Sequence, residues 1–338
     1  MTGKRKRTML IFSIVFLLLA VTAVIVTKLA KEVPSKKLKD FKIIGYLPDW
    51  YEDCYKDVPY DRLTHINYAF AIPTREGTIL KFKDPEQVKN LVRKAHRNQV
   101  KILLSIGGWS YQGAVLSDVF KEATLTKEKA EYLAFNIVKT VTEYNFDGAD
   151  VDWEYPNEET MNQYAYFMKV LGDALRKEEK LFTAATTGFS ESAKYQPDSV
   201  VKKLDWINIM AYDMDMEGDH ANYEDMISFA AYWTKTRKAD PGKVVIGVPF
   251  YARPDGYSYR HIVEKNPEDS NKDQTVYEGV TVYYNGLNTI RKKTEWACEN
   301  LSGIMIWEVL QDSEEEEYSL LEEMYQTAKS YFRRIKQD

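Results

Sequence analysis

The chain has 338 residues, with 46 Lys and Arg against 51 Asp and Glu, for a formal net charge of −5. Residues 1–40 hold nine basic and two acidic residues and stand at +7, so residues 41–338 carry −12. An acidic body argues against a nucleic-acid partner, whose phosphate backbone selects a basic face, and 44% hydrophobic content excludes bulk disorder.

The first element is an uncharged run from Met9 to Thr27, preceded by Lys4-Arg5-Lys6-Arg7 and followed by Lys28. A spanning helix needs about 20 apolar residues, whereas the apolar core of a signal peptide has about 7–15. The run length predicts an uncleaved membrane anchor over 9–27. The positive-inside rule then puts residues 1–8 in the cytoplasm and the body on the extracellular face of the membrane. A long cleavable signal, with Val21-Thr22-Ala23 as its small-residue site, would instead release a secreted body. Residues 28–40 read as a polar spacer, and 41–338 as a single domain with no internal repeat.

From residue 42 short apolar runs alternate with amphipathic stretches. Runs at 42–47, 65–71, 101–108, 148–154, 181–187, 206–212, 243–250 and 303–309 are rich in Val, Ile and aromatics and predict strands. Helices are predicted near 85–98, 126–145, 158–179, 222–238, 286–299 and 314–335. Strands alternating with helices pair in parallel through right-handed crossovers, and eight strands close an α/β (β/α)8 TIM barrel. An open doubly wound sheet is the alternative, but no Gly-x-Gly-x-x-Gly opens a helix to support its dinucleotide-binding form. One connection, 251–285, is long. Long loops at the C-terminal face of a barrel usually line its site.

Two cysteines, Cys54 and Cys298, are too few for a disulfide scaffold or a four-Cys zinc site. They fall toward opposite ends of the predicted barrel and are expected to stay unbonded. His65, His96, His220 and His261 form no His-x-x-x-His pair, so neither metal nor cofactor is expected.

The most informative stretch is Phe146 to Pro156, FDGADVDWEYP. Asp150, Asp152 and Glu154 stand two apart, which in a strand puts all three on one face, about 6.6 Å per step. Ala149, Val151 and Trp153 then face the helices. Acids pointing into a barrel core are costly unless they share protons or hydrogen bonds. Crowding of like charge raises at least one pKa, so the outermost acid, Glu154, is expected to stay protonated near neutral pH and to serve as a general acid. The competing readings are an exposed strand face, disfavoured by the flanking apolar residues, and a hard-metal site, for which no co-ligand set is evident. Asp147 is out of phase with the row and reads as a structural residue at the strand start.

These residues resemble the family 18 glycoside hydrolases, the chitinase family. Asp147 to Glu154 fits the family's Asp-x-x-Asp-x-Asp-x-Glu signature. Ser105-Ile106-Gly107-Gly108 resembles its Ser-x-Gly-Gly on the third strand. Met210-Ala211-Tyr212-Asp213 resembles its Met-x-Tyr-Asp at the sixth, and Phe250-Tyr251-Ala252-Arg253 its Phe-Tyr-Gly-Arg after the seventh, with Ala for Gly. Trp307 stands where the eighth strand carries a tryptophan. The resemblance covers about 42–333.

It implies hydrolysis of β-1,4 linkages between N-acetylglucosamine units by a retaining mechanism in which the substrate's own acetamide is the nucleophile. Glu154 would be the acid and base, Asp152 would orient the acetamide, and Asp150 would share a proton with Asp152. Tyr212 would bond the acetamide oxygen. Tyr46 and Ser105 would hold the buried aspartate, Trp307 would floor the cleavage subsite, and Trp109 would be a platform on the leaving side. Met210, Asp213 and Arg253 would contact sugar. Trp153, Trp206, Trp233 and Trp296 are assigned to packing. The 251–285 connection looks too short for the family's full α+β insertion, which implies a shallower cleft. An endo-β-N-acetylglucosaminidase acting on N-glycan or cell-wall glycan is the same-class alternative. A non-catalytic chitin-binding lectin is the different-class one, and such lectins typically lack the terminal acid that Glu154 supplies here.

Overall fold

The eight apolar runs become eight parallel strands, and the reason lies in their side-chain alternation. They are β1 (Lys42–Pro48), β2 (His65–Ala71), β3 (Lys101–Gly108), β4 (Gly148–Trp153), β5 (Leu181–Thr187), β6 (Trp206–Met210), β7 (Val244–Pro249) and β8 (Gly303–Trp307). They close into a barrel in sequence order, with β8 pairing back onto β1. This computed structural model describes residues 38 and 40–335. The run 9–27, read as anchor or signal, lies outside the described residues, as do residues 1–8. Among the described residues no helix is long and apolar enough to cross a membrane.

One phase of each strand faces the helices. Ile66, Ile102, Leu104, Val151, Phe182, Ile207, Ile246 and Ile304 are all buried in the outer core. The other phase fills the barrel. Ile44, Tyr46, Ala69, Leu103, Trp206, Val245 and Met305 form a separate inner cluster. Ala149, Val151 and Trp153 take the outer phase, as the period-two reading requires. The strand assignments therefore hold, with shifted ends. β4 stops one residue before Glu154, and β6 stops two before Tyr212.

The α-helices longer than four residues are α1 (Pro85–Arg97), α2 (Leu116–Ala123), α3 (Lys127–Glu143), α4 (Met161–Lys177), α5 (Tyr223–Ala231), α6 (Tyr259–Lys265), α7 (Leu287–Asn300) and α8 (Leu320–Arg334). α1 shows how sequence sets them. Asp84 accepts from the Glu86 and Gln87 amides, Pro85 opens the helix, and Val88, Leu91, Val92 and Ala95 form one buried stripe. α2 and α6 lie outside the predicted helices. They are short and sit inside connections, so their periodicity spans only about two turns. No α-helix separates β1 from β2, where two 3-10 turns suffice. The long 251–285 connection is not one loop. It holds α6 and a hairpin, Gln274–Tyr277 with Val280–Tyr283. Two backbone hydrogen bonds tie Arg253 to Tyr283, at 2.9 and 2.8 Å.

Both cysteines are free and buried. Asp147 accepts from the Ile102 amide at 2.8 Å and lies 2.9 Å from His96 Nε2, a structural role at the foot of β4. Trp206 packs inside the barrel against His65, with ring centroids 4.9 Å apart. Trp153 stacks on Phe120 at 4.7 Å and 10°, and its Nε1 donates to Ser117 Oγ at 3.1 Å. Removing such a buried ring costs about 3–5 kcal/mol. Trp153→Ala should lower unfolding stability by that much in urea titration, and a loss under 1 kcal/mol would contradict this packing role.

Candidate active site

Asp150 sits at the centre of the barrel and is fully buried. Its strand neighbours in register are Ser105 on β3 and Thr183 on β5. Both donate to it: Ser105 Oγ to Oδ2 at 2.9 Å and Thr183 Oγ1 to Oδ1 at 2.5 Å. Tyr46 Oη from β1 adds a bond to Oδ2 at 2.8 Å, and Asn208 Nδ2 from β6 one to Oδ1 at 3.1 Å. Burial pushes the Asp150 carboxyl up, and these four donors act against that push. The expected bonding by Tyr46 and Ser105 is present. The four donors fall two on each Asp150 oxygen, with Tyr46 and Ser105 on Oδ2 and Thr183 and Asn208 on Oδ1.

Asp152 is one step nearer the C-terminal rim. It is 3% exposed, and its Oδ1 is buried without a hydrogen-bond partner among the described residues. Burial first, then the charges of Glu154 and Asp150, hold its carboxyl well above the usual range. Glu154 lies just past the strand end, partly buried. Burial is again the main cause that lifts it, to about 7. A bond from Tyr155 opposes the shift, and the charge of Asp213 adds to it. Crowding of like charge, the cause expected from the spacing, is the smaller one. Burial is the larger cause for both Asp152 and Glu154, and the neighbouring charges add less.

Gly107 explains the Gly-Gly turn beside the row. Its φ is +119°, and an added Cβ would lie 2.1 Å from the Asp152 carbonyl oxygen. The next residue, Gly108 at φ +91°, would press a Cβ to 2.8 Å from the Phe70 ring.

The row opens into a cleft of about 640 Å³, lined among others by Tyr46, Phe70, Trp109, Asp152, Glu154, Met210, Tyr212, Asp213, Arg253 and Trp307. All of these but Phe70 are expected site residues, while Asp150 and Ser105 stand behind them. Trp307 is the floor: it stacks on Phe70 at 5.6 Å and 22° and touches Tyr46 at 5.8 Å. Trp109 is 60% exposed at the rim. Burial, then Tyr251 and Asp152, keep the Tyr212 phenol well above its usual range, so it remains a donor. Asp213 and Arg253 are first of all partners of each other, joined by two bonds of 2.8 Å. His220 Nδ1 stands 3.1 Å from Asp213 Oδ1. Burial works to raise the Asp213 carboxyl, but bonds from Arg253, His220 and Tyr251 outweigh it and hold it well below the usual range. Among the described residues no group of three or more His, Cys, Asp or Glu is placed to hold a metal ion.

The sequence reading missed Thr183, Asn208, Phe70 and Trp50. Thr183 and Asn208 had a signal, since each is a polar residue in the inward phase of an apolar strand. Trp50 did not, because it lies just after β1 in the turn and meets Trp307 edge-on at 6.2 Å only in the fold.

A barrel with an inward Asp, Asp and Glu row under an aromatic cleft defines a carbohydrate-processing site in the manner of the glycoside hydrolases. The model of glycosyl hydrolases family 18 matches residues 42–312, and the chain belongs to that family. It is similar to a GH18 chitinase from the chitin utilization locus of Flavobacterium johnsoniae, with 28% identity, TM-score 0.75 and coverage of 86% of this chain and 94% of that one. It is also similar to a chitinase of Bacteroides thetaiotaomicron, with 27% identity, TM-score 0.76 and coverage of 85% and 96%. Chitinase A1 of Niallia circulans is 26% identical, in a match that covers 68% of this chain and 45% of that protein. The chain spans between 11% and 63% of the length of the curated relatives it matches.

The Glu154 shift carries a stability consequence. A folded value near 7 against an ordinary 4.5 means the folded protein keeps a proton that the unfolded chain releases. The penalty therefore begins near pH 4.5, grows through pH 7 and is constant above it. Glu154→Gln removes the ionisation. Its Tm should match that of the wild type below about pH 4 and exceed it at pH 8 by scanning calorimetry. An equal Tm at pH 8 would show that Glu154 ionises without strain.

Proposed function

We propose that this chain hydrolyses β-1,4 linkages between N-acetylglucosamine units in chitin or chito-oligosaccharides, with retained configuration and with the substrate's acetamide as nucleophile. One observation carries the reading: a Glu154 carboxyl poised near 7 and an unpartnered buried Asp152 oxygen share one aromatic cleft. A pKa near 7 suits a group that must give a proton and then take one. Support also comes from the chitinase names of the relatives in two solved structures.

Glu154 donates its proton to the glycosidic oxygen as the bond from that oxygen to C1 breaks. The acetamide carbonyl oxygen attacks C1 and closes an oxazolinium ring, while the leaving sugar departs as an alcohol. Asp152 accepts the acetamide N–H and offsets the positive charge, and Tyr212 donates to the acetamide oxygen. Glu154, now a carboxylate, takes a proton from the water that attacks C1 and reopens the ring. An intramolecular nucleophile gains effective molarity, and it restricts the cleaved position to N-acetylated sugars. Trp307 stacks on the sugar's C–H face, and Trp109 serves the leaving side. Asp150 holds the row through Tyr46 and Ser105. Met210, Asp213 and Arg253 line the sugar path. In the cell, residues 9–27 anchor the body on the extracellular face, or release it if they are cleaved.

The test is an assay of the chain on chito-oligosaccharides and, in parallel, on a high-mannose glycoprotein. Expected are shorter oligosaccharides released with the β-anomer first by NMR. Glu154→Gln should lose about 10²–10⁴-fold in kcat, and Tyr212→Phe about tenfold, one hydrogen bond made in the transition state. Cleavage of the glycoprotein alone would redirect the reading to N-glycans. Binding without turnover would mark a lectin. Full activity in Glu154→Gln would overturn the mechanism.

A further inference from the structure

A fully buried amine stands behind the cleft, unused by the proposed chemistry. Lys293, on α7, is 0% exposed. A buried ammonium is costly unless its donors are met. Its Nζ donates to the Ala221 carbonyl and, at 2.7 Å, to Asn285 Oδ1. Asn285 Nδ2 donates to the same Ala221 carbonyl at 3.0 Å. A helix outside the barrel and the end of the 251–285 connection thus grip one peptide of the loop between β6 and α5.

That peptide follows His220, whose ring is 3.1 Å from Asp213 Oδ1 and whose carbonyl accepts from the Met214 amide at 3.1 Å. Asp213 follows Tyr212 directly, and its charge is the carboxylate outside the row that raises Glu154. We infer that Lys293 is a positioning residue for the Tyr212–Asp213 corner of the cleft, holding the 213–222 loop from behind so that Asp213 keeps its place relative to Glu154. This rests on the reading of Glu154 as the proton donor.

The tie does not depend on the charge of Lys293. Burial brings the amine down to about 7, against Asp219, Asp273, Glu224 and Asp225, which raise it. Two acceptors meet Nζ, and a neutral amine still carries two N–H groups for them. The same bonds form on either side of that pH.

Lys293→Met keeps the stem and removes the donors, and Asn285→Ala removes the second grip on the same carbonyl. In the full chain Lys293→Met should lower kcat about tenfold, leave KM within about twofold, and move the basic limb of the kcat profile to lower pH as the Asp213 charge drifts from Glu154. The double variant should be no worse than the stronger single one, since both act through one carbonyl. A lowered Tm with wild-type kcat and an unmoved basic limb would reduce Lys293 to packing and overturn the inference. If Lys293→Met does not fold, Asn285→Ala decides by the same readouts. Absence of turnover in the wild type would sink the functional reading instead. The inference is then read from the Glu154 titration, as the difference between ¹³C-glutamate spectra of each protein and its Glu154→Gln form. An unchanged titration in Lys293→Met overturns it.

Discussion

A carboxylate at the centre of a barrel is tolerable only when its lone pairs are filled, and Asp150 shows how this is done. Four donors reach it from four different strands: Tyr46, Ser105, Thr183 and Asn208. The cluster fixes the register of β1, β3, β4, β5 and β6 against one another, because a one-residue slip in any of them turns its donor out of the barrel. Every residue nearer the rim inherits its position from that lock. Asn208 also donates to Tyr46 Oη at 3.2 Å, so two of the donors are themselves joined.

Above the lock the next carboxyl is less satisfied, and the one beyond it has Tyr155 as a partner. Asp150 has four partners, Asp152 keeps one buried oxygen unpaired, and Glu154 stands at the mouth with its carboxyl near 7. Desolvation lifts both of these carboxyls, with charge repulsion second. The opposite wall is arranged the other way. Asp213 is saturated by Arg253 and His220 and stays ionised, so its charge is a constant pressure on Glu154. Two carboxyls in one cleft are thereby driven apart in pKa by their different neighbours, the condition that separates an acid from a fixed anion.

The walls of the cleft come from connections rather than strands. The 251–285 segment folds into α6 and a hairpin and is stitched to Arg253, which places the guanidinium against Asp213. Tyr51 does similar work on the other side. It donates to Glu308 at 2.5 Å, next to the Trp50 that abuts Trp307. The aromatic floor is thus fastened at both ends of the chain's path around the barrel.

Much of this was legible in the residues alone. Eight apolar runs alternating with helices set parallel pairing and pointed to a barrel over an open sheet, and the pairing of β8 with β1 closes it. The period of two in Asp150, Asp152 and Glu154 determined which side chains face inward, and it set Trp153 against the helices. Local order along the chain suffices for both, because a strand's alternation is a local property. The sequence could not rank desolvation above crowding, for burial is a sum over neighbours drawn from the whole barrel. Nor could it pair Asp213 with Arg253, 40 residues away, or bring Lys293 beneath Ala221. Those contacts depend on where connections land once the barrel is closed. Tertiary structure alone decided them, and with them the pKa of the residue on which the proposed chemistry turns.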